Sequence, residues 1–131
     1  MQILTYSSYT MLIMFRLRVE DHFSAAHQLV NYDGPCENLH GHTFKLQVTV
    51  EGETLDDIGM LVDFHILKKT IKQIHDEFDH KFLNDILPFS PTSERLAEYV
   101  YHTIKTQLPK GVRLVKATVF ESETASATYY E

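Results

Sequence analysis

An α+β fold, a four-stranded antiparallel sheet with two helices on one face, is predicted by the order in which two periodicities occur in this 131-residue chain. Strict alternation of apolar and polar residues runs through residues 15–23 and 44–50, as in strands that bury one face. Apolar residues then recur at steps of three and four in two successive segments, as in amphipathic helices, before alternation returns over residues 115–119. Strand, strand, helix, helix, strand, strand is an order that pairs sequence neighbours antiparallel.

Residues 1–14 contain Thr, Ser and Tyr with scattered Met, Ile and Leu, and no basic residue. Their apolar run at 11–15 is far too short to span a bilayer, so no signal peptide is expected. They are read as a poorly ordered N-terminal extension, with Met11 or Met14 as alternative starts, and residues 15–131 as one domain. In the first strand Phe15, Leu17, Val19 and Phe23 share one face, while Arg16, Arg18, Glu20 and His22 share the other. If the alternation continues without a bulge, His27 falls on the apolar parity. Residues 28–39, with Asn31 and Asp33-Gly34-Pro35, have the composition of a loop. The second strand sets Phe44, Leu46, Val48 and Val50 against Lys45, Gln47 and Thr49, and His40 and His42 share the parity of Phe44.

Asp63 is the expected N-cap of a helix whose buried stripe is Phe64, Leu67, Ile71, Ile74 and Phe78. His65 and His75 fall on its flanks and are read as ordinary surface residues, as is His102 in the next helix. Residues 79–84 close the segment. Pro91 and Thr92 open the second helix, with Leu96, Val100, Ile104 and Leu108 at every fourth position, and Pro109-Lys110-Gly111 ends it. Val115, Ala117 and Val119 then share a strand face that continues into Glu121. A carboxylate on an apolar parity needs a partner. A short final strand over 127–130 completes the sheet.

Composition narrows the function. The 44% hydrophobic and 23% charged content is that of a soluble globular protein. A formal charge of -6 speaks against a nucleic-acid surface, which needs clustered Lys and Arg. The single cysteine, Cys36, cannot form an internal disulfide, so a reducing, cytoplasmic compartment is expected. No HExxH, P-loop, dinucleotide fingerprint or serine elbow occurs.

The stretch Cys36-Glu37-Asn38-Leu39-His40-Gly41-His42 holds the chemistry. His40 and His42, two apart on a strand, point to one face, and pairing of the two strands brings His27 to them. Three neutral imidazoles with an open fourth position and no carboxylate form the ligand set of a catalytic zinc site, although imidazole also suits Cu, Ni and Fe. A thiol beside such a cation has a depressed pKa and is reactive.

At this point the chain resembles the family of 6-pyruvoyltetrahydropterin and 6-carboxytetrahydropterin synthases, over nearly its whole length from Phe15. The resemblance rests on Phe23-Ser24-Ala25-Ala26-His27, Cys36-x-x-x-His40-Gly41-His42, Gly59-Met60-Leu61-Val62-Asp63-Phe64, Phe78-Asp79-His80-x-x-Leu83-Asn84, Pro91-Thr92-Ser93-Glu94 and Val119-Phe120-Glu121. It implies the tunnelling fold, in which subunits assemble into a β-barrel and two trimers make a hexamer. It also implies zinc held by His27, His40 and His42, with Cys36 as the proton-abstracting thiol and Asp79 with His80 as a second catalytic pair, supplied by another subunit. Glu121 then anchors the pterin ring, and Thr92 and Ser93 contact it, although Thr92 is equally readable as a plain N-cap.

The spacing from Cys36 to His40 resembles the carboxy-forming bacterial branch. That branch converts 7,8-dihydroneopterin triphosphate to 6-carboxytetrahydropterin, releasing acetaldehyde and triphosphate, on the route to queuosine. A pyruvoyl-forming synthase and a non-catalytic metal-binding oligomer are the alternatives. Gln28 stands where many relatives have arginine, and Ser90, Ser122 and Glu123 also depart from the family pattern. Lys45, Lys81 and Arg16 are the residues left to meet a triphosphate. Neither nucleic acid nor a membrane is an expected partner.

Overall fold

The computed structural model describes residues 2–6, 9–34 and 37–131, with side chains described from residue 14 onward. Two short strands, β1 (Gln2–Tyr6) and β2 (Tyr9–Ile13), pair antiparallel as a sheet of their own. The segment read from sequence as a poorly ordered extension contains paired backbone over these two strands, and the side chains of residues 1–13 lie outside the described residues.

Alternation from residue 15 runs without a bulge through β3 (Phe15–His27), which pairs along its whole length with β4 (His40–Gly52). Each has 13 residues, so the ribbon extends roughly 43 Å at about 3.3 Å per residue. Val19, Phe23, Ala25 and His27 of β3 are buried, as are Phe44, Leu46, Val48 and Val50 of β4. Phe23 and Phe44 face each other in register with ring centroids 5.0 Å apart. Aromatic pairs of this kind fix register beyond what burial alone gives.

Helix α1 (Phe64–Phe78) starts where the Asp63 carboxylate accepts from the His65 amide, and it buries Leu67, Thr70, Ile71, Ile74 and Phe78. Phe64, read as part of that stripe, is half exposed, because the first residue after the cap has not yet turned toward the sheet. A one-turn helix, α2 (Leu83–Ile86), was not anticipated; four residues are too few to show a period, and only Leu83 is buried. Helix α3 (Ser93–Lys105) buries Leu96, Ala97, Val100, Tyr101 and Ile104. It ends before Leu108, which packs on the core from the following turn. Tyr99 donates to Glu77 at 2.6 Å and ties α3 to α1; burial, then that carboxylate, pushes its phenol up to about 12.

The remaining strands, β5 (Arg113–Ser122) and β6 (Ala125–Tyr129), complete a sheet of order β3-β4-β5-β6, all antiparallel. Two bulges shape β5. Thr49 pairs with Lys116 but Val50 with Leu114, so Val115 is the extra residue. Leu114 rather than Val115 therefore enters the core, which corrects the parity expected from sequence. Phe120 pairs with Ser126 and Ser122 with Ala125, so Glu121 is the second extra residue. At the far end of the sheet the buried Glu51 carboxylate is held by Arg16 at 2.9 Å and by Arg113. A carboxylate this enclosed persists only when paired.

Candidate metal and substrate site

The parity of β3 and β4 delivers three imidazoles to one point. His27 ends β3 opposite His40, which begins β4, and His42 lies opposite Ala25 on the same face. Their ring centroids lie 4.5, 4.7 and 5.2 Å apart. Glu121 joins them from β5, where its bulge turns the side chain toward the cluster. One of its oxygens, Oε1, lies 2.7 Å from His42 Nε2 and 3.7 Å from His27 Nε2, and Oε2 accepts from the Ser93 hydroxyl at 3.4 Å. The ligand atoms of these four residues all fall within 4.8 Å of one another.

Their hydrogen bonds show what the cluster is built to hold. His27 Nδ1–H donates to the Pro91 carbonyl at 2.8 Å, and His40 Nδ1–H donates to the Asn38 carbonyl at 2.6 Å. A neutral imidazole has one N–H, so both Nε2 atoms carry lone pairs, and these face each other at 2.8 Å. Two lone pairs that close repel unless a proton or cation lies between them. His42 Nε2 is shut off from solvent and has no aligned hydrogen-bond partner, despite the nearby Glu121 oxygen. Burial lowers the His42 pKa first; the Glu121 charge opposes this, and His27 and His40 add to it. A neutral ring is the form that ligates. Carbonyl-oriented imidazoles with unclaimed, converging nitrogens fit a divalent cation.

Sequence reasoning expected the fourth corner to be free of carboxylate. The structure instead brings Glu121 into the cluster, the partner that a carboxylate on an apolar parity requires. Beside it a cleft of about 290 Å³ is lined by Leu29, Tyr32, Thr92, Ser93 and Ser126, together with His27 and Glu121. Thr92 serves as the N-cap of α3, its hydroxyl accepting from the Arg95 amide at 3.2 Å, and it lines the cleft as well. Tyr32 and Ser126 were not singled out from sequence; both sit in turn or edge positions that carry no periodic signal.

Asp79 and His80 are held elsewhere. Asp79 Oδ1 accepts from the Ser24 amide at 2.9 Å and Oδ2 from His80 Nδ1–H at 2.8 Å. The Ser24 bond, then His80, holds the carboxyl below the usual aspartate range. His80 has a left-handed backbone, φ 58°, which turns the chain out of α1, and its amide donates to the Ser24 carbonyl at 2.6 Å. The pair thus lies along the outer edge of β3. His80 borders a hollow that is also lined by Ser24, Ala26, Gly41 and Thr43 of the two strands, by Lys81 and by His42. Asp79 and His80 are not among the four residues whose ligand atoms converge.

Cys36 lies outside the described residues. Of the cationic residues considered for a triphosphate, Arg16 is engaged with Glu51, and Lys45 lies 4.2 Å over the Phe120 ring. Lys81 is exposed beside His80.

Comparison with known proteins agrees with this architecture. A profile of the family described as 6-pyruvoyl tetrahydropterin synthase matches residues 16–131. A Synechocystis protein named 6-carboxy-5,6,7,8-tetrahydropterin synthase is 35% identical, over 89% of this chain and 94% of its own. A Bacillus subtilis protein of the same name is 39% identical, over 72% of this chain and 68% of its own. A Pyrococcus furiosus protein named dihydroneopterin monophosphate aldolase is also 39% identical, over 76% and 82%. The solved structure of Caenorhabditis elegans 6-pyruvoyl tetrahydropterin synthase superposes with a TM-score of 0.80 at 29% identity, covering 92% of this chain and 97% of that one. On the match of the profile and of these relatives, the chain belongs to the 6-pyruvoyl tetrahydropterin synthase family.

Proposed function

We propose that this chain is a zinc-dependent lyase that converts 7,8-dihydroneopterin triphosphate to 6-carboxytetrahydropterin, releasing acetaldehyde and triphosphate, in queuosine and deazapurine synthesis. The observation that carries the reading is the pair of Nε2 lone pairs of His27 and His40, 2.8 Å apart beside His42, in a family of tetrahydropterin synthases. Relatives named for the carboxy-forming reaction, matched over most of the chain, favour that branch. His27, His40 and His42 would hold the metal. Zinc bound there would polarise the oxygens of the substrate side chain and raise the acidity of neighbouring C–H and O–H bonds.

The remaining steps belong to the chain's own residues. Cys36, as thiolate, removes a proton from the substrate side chain. His80, oriented by its 2.8 Å bond to Asp79, transfers protons on the other face. His80 is 83% exposed and is not one of the converging residues of its own cluster, so it would serve the cluster of a neighbouring subunit, in a hexamer of two trimers. Glu121, an acceptor only when ionised, takes the adjacent N–H donors of the pterin, with Ser93 and Thr92 at the same wall of the cleft. We place the enzyme in the cytoplasm; among the described residues no helix is long and apolar enough to cross a membrane.

The test is turnover of 7,8-dihydroneopterin triphosphate by the purified zinc-loaded protein, read by mass spectrometry. Acetaldehyde and the 6-carboxy product are expected. A 6-pyruvoyl product without acetaldehyde would move the chain to the other branch, and no turnover with zinc bound would make it a non-catalytic metal protein. Cys36→Ala should keep zinc and lose turnover; full turnover by that variant would remove Cys36 as the base.

A further inference from the structure

Asn84 sits where the chain leaves the outer edge of β3. Before it the backbone runs alongside that edge: the His80 amide donates to the Ser24 carbonyl at 2.6 Å, the Ala26 amide donates to the Lys81 carbonyl at 2.9 Å, and Ala26 forms a parallel bridge with Phe82. At the buried Leu83 the backbone turns into α2 and leaves the edge. The next rung is made by a side chain. Asn84 Oδ1 accepts from the Gln28 amide at 2.9 Å, and Asn84 Nδ2 donates to the Gln28 carbonyl at 2.8 Å. An asparagine amide carries a donor and an acceptor in one plane, as a peptide group does, so one residue completes both halves of the rung.

We propose that Asn84 is a positioning residue for the imidazole cluster: its amide stands in for a strand beside Gln28 and holds His27 in line with His40. This rests on the reading above, in which the cluster binds the metal. The ladder between β3 and β4 ends at the pair His27–His40, so Gln28 has no partner on β4. Strands fray from such ends. The amides of Ser24, Ala26 and Gln28 point outward, and those of Ala25 and His27 therefore point at β4. His27 thus lies between two outer rungs, at Ala26 and at Gln28, with its own backbone paired inward. Its ring is fixed separately, by Nδ1–H on the Pro91 carbonyl. That bond holds the far side of the ring, whereas the backbone on either side of His27 sets where the ring begins. The 2.8 Å approach of its Nε2 to that of His40 needs both. Past Gln28 the chain supplies Leu29 and Tyr32 to the cleft, so the same rung fixes the start of that wall.

Two substitutions and one control test the proposal. Asn84→Leu keeps the size and removes both bonds. Asn84→Asp keeps an acceptor for the Gln28 amide but sets an oxygen against its carbonyl. Ile71→Val, in the core under α1, lowers stability without touching the cluster. In the full chain, titrated against a chromophoric chelator, Asn84→Leu should bind zinc roughly three- to tenfold more weakly, less than the loss of a group bonded directly to a ligand ring. In the metal-free protein, hydrogen exchange at the His27 amide, followed by NMR, should quicken roughly tenfold, as for the loss of a net hydrogen bond. The Val19 amide, in the middle of the same ladder, should change only in step with the thermal midpoint. Asn84→Asp should also quicken exchange at His27 beyond that at Val19; Ile71→Val should not. Unchanged zinc affinity or unchanged His27 exchange in Asn84→Leu would overturn the proposal, as would equal quickening at His27 and Val19 or an equal loss of zinc in Ile71→Val. The exchange measurement needs no metal. If the wild type binds no zinc, the functional reading fails while the His27 rate still decides the role of Asn84.

Discussion

Removing His27 and removing His40 should damage the proposed metal site equally and the fold unequally. His27 is 1% exposed, and its Nδ1–H satisfies the carbonyl of Pro91, itself buried. In His27→Ala that carbonyl loses its donor in a place water does not reach, at about 1–3 kcal/mol. Loss of ring packing edge-on to Phe44, centroids 5.5 Å apart, adds about 1 kcal/mol. The sum, about 2–4 kcal/mol, corresponds to a fall of roughly 10 °C in the melting temperature of a domain this size. His40 is only partly buried, and its Nδ1–H serves the carbonyl of Asn38, an exposed residue. Water replaces that donor, and His40→Ala should cost less than about 1 kcal/mol. The assay is calorimetry of chelator-treated protein, followed by zinc titration against a chromophoric chelator. Equal destabilisation by the two substitutions, or stoichiometric tight zinc in either variant, would refute the reasoning.

Glu121→Gln should raise KM for the pterin substrate roughly ten- to a hundredfold, the worth of a charge-assisted pair of hydrogen bonds, and leave zinc content intact. Loss of zinc in that variant, measured by elemental analysis, would instead make Glu121 a metal ligand. Asp79 has its folded pKa depressed, first by the Ser24 amide and then by His80. Its contribution to stability is therefore present above the unfolded value of about 3.9 and lost as pH falls through the lower folded one. The gap in urea midpoint between wild type and Asp79→Asn should be open at pH 6 and narrow as the pH is lowered past the unfolded value of about 3.9; a gap that does not change with pH would show that the charge is not responsible.

Much of the sheet was legible because period two leaves few choices. Once Phe44, Leu46 and Val48 are assigned inward, His40 and His42 follow, and the uninterrupted ladder of β3 carries His27 to the same side. Leu114 and Val115 were not separable in the same way. Two adjacent apolar residues each fit an inward position, and the choice is made by the register jump opposite Thr49 and Val50, a property of the pair of strands. Phe64 shows the converse: the three-four spacing includes it, but its place in the first turn exposes it.

The same distinction divides the site. Glu121 could be flagged as a carboxylate on an apolar parity, yet its approach to His42 depends on a bulge defined only when β6 pairs with β5. His75, read as an ordinary residue on the helix flank, donates to the His22 carbonyl of β3, a contact that helical period alone does not show. What distinguishes it is that α1 ends against β3, where the residues from 75 to 84 occupy the outward backbone groups of His22, Ser24, Ala26 and Gln28. That segment covers the imidazole end of the β3 edge and blocks further strand pairing there. The imidazoles stand on the inner face, and Asp79 with His80 is bound to this covered edge. Within the chain the Asp79–His80 pair stays outside the group of converging imidazoles, with His42 and His80 on one hollow. In the reaction proposed above, a second chain would bring its exposed His80 to the first chain's cluster.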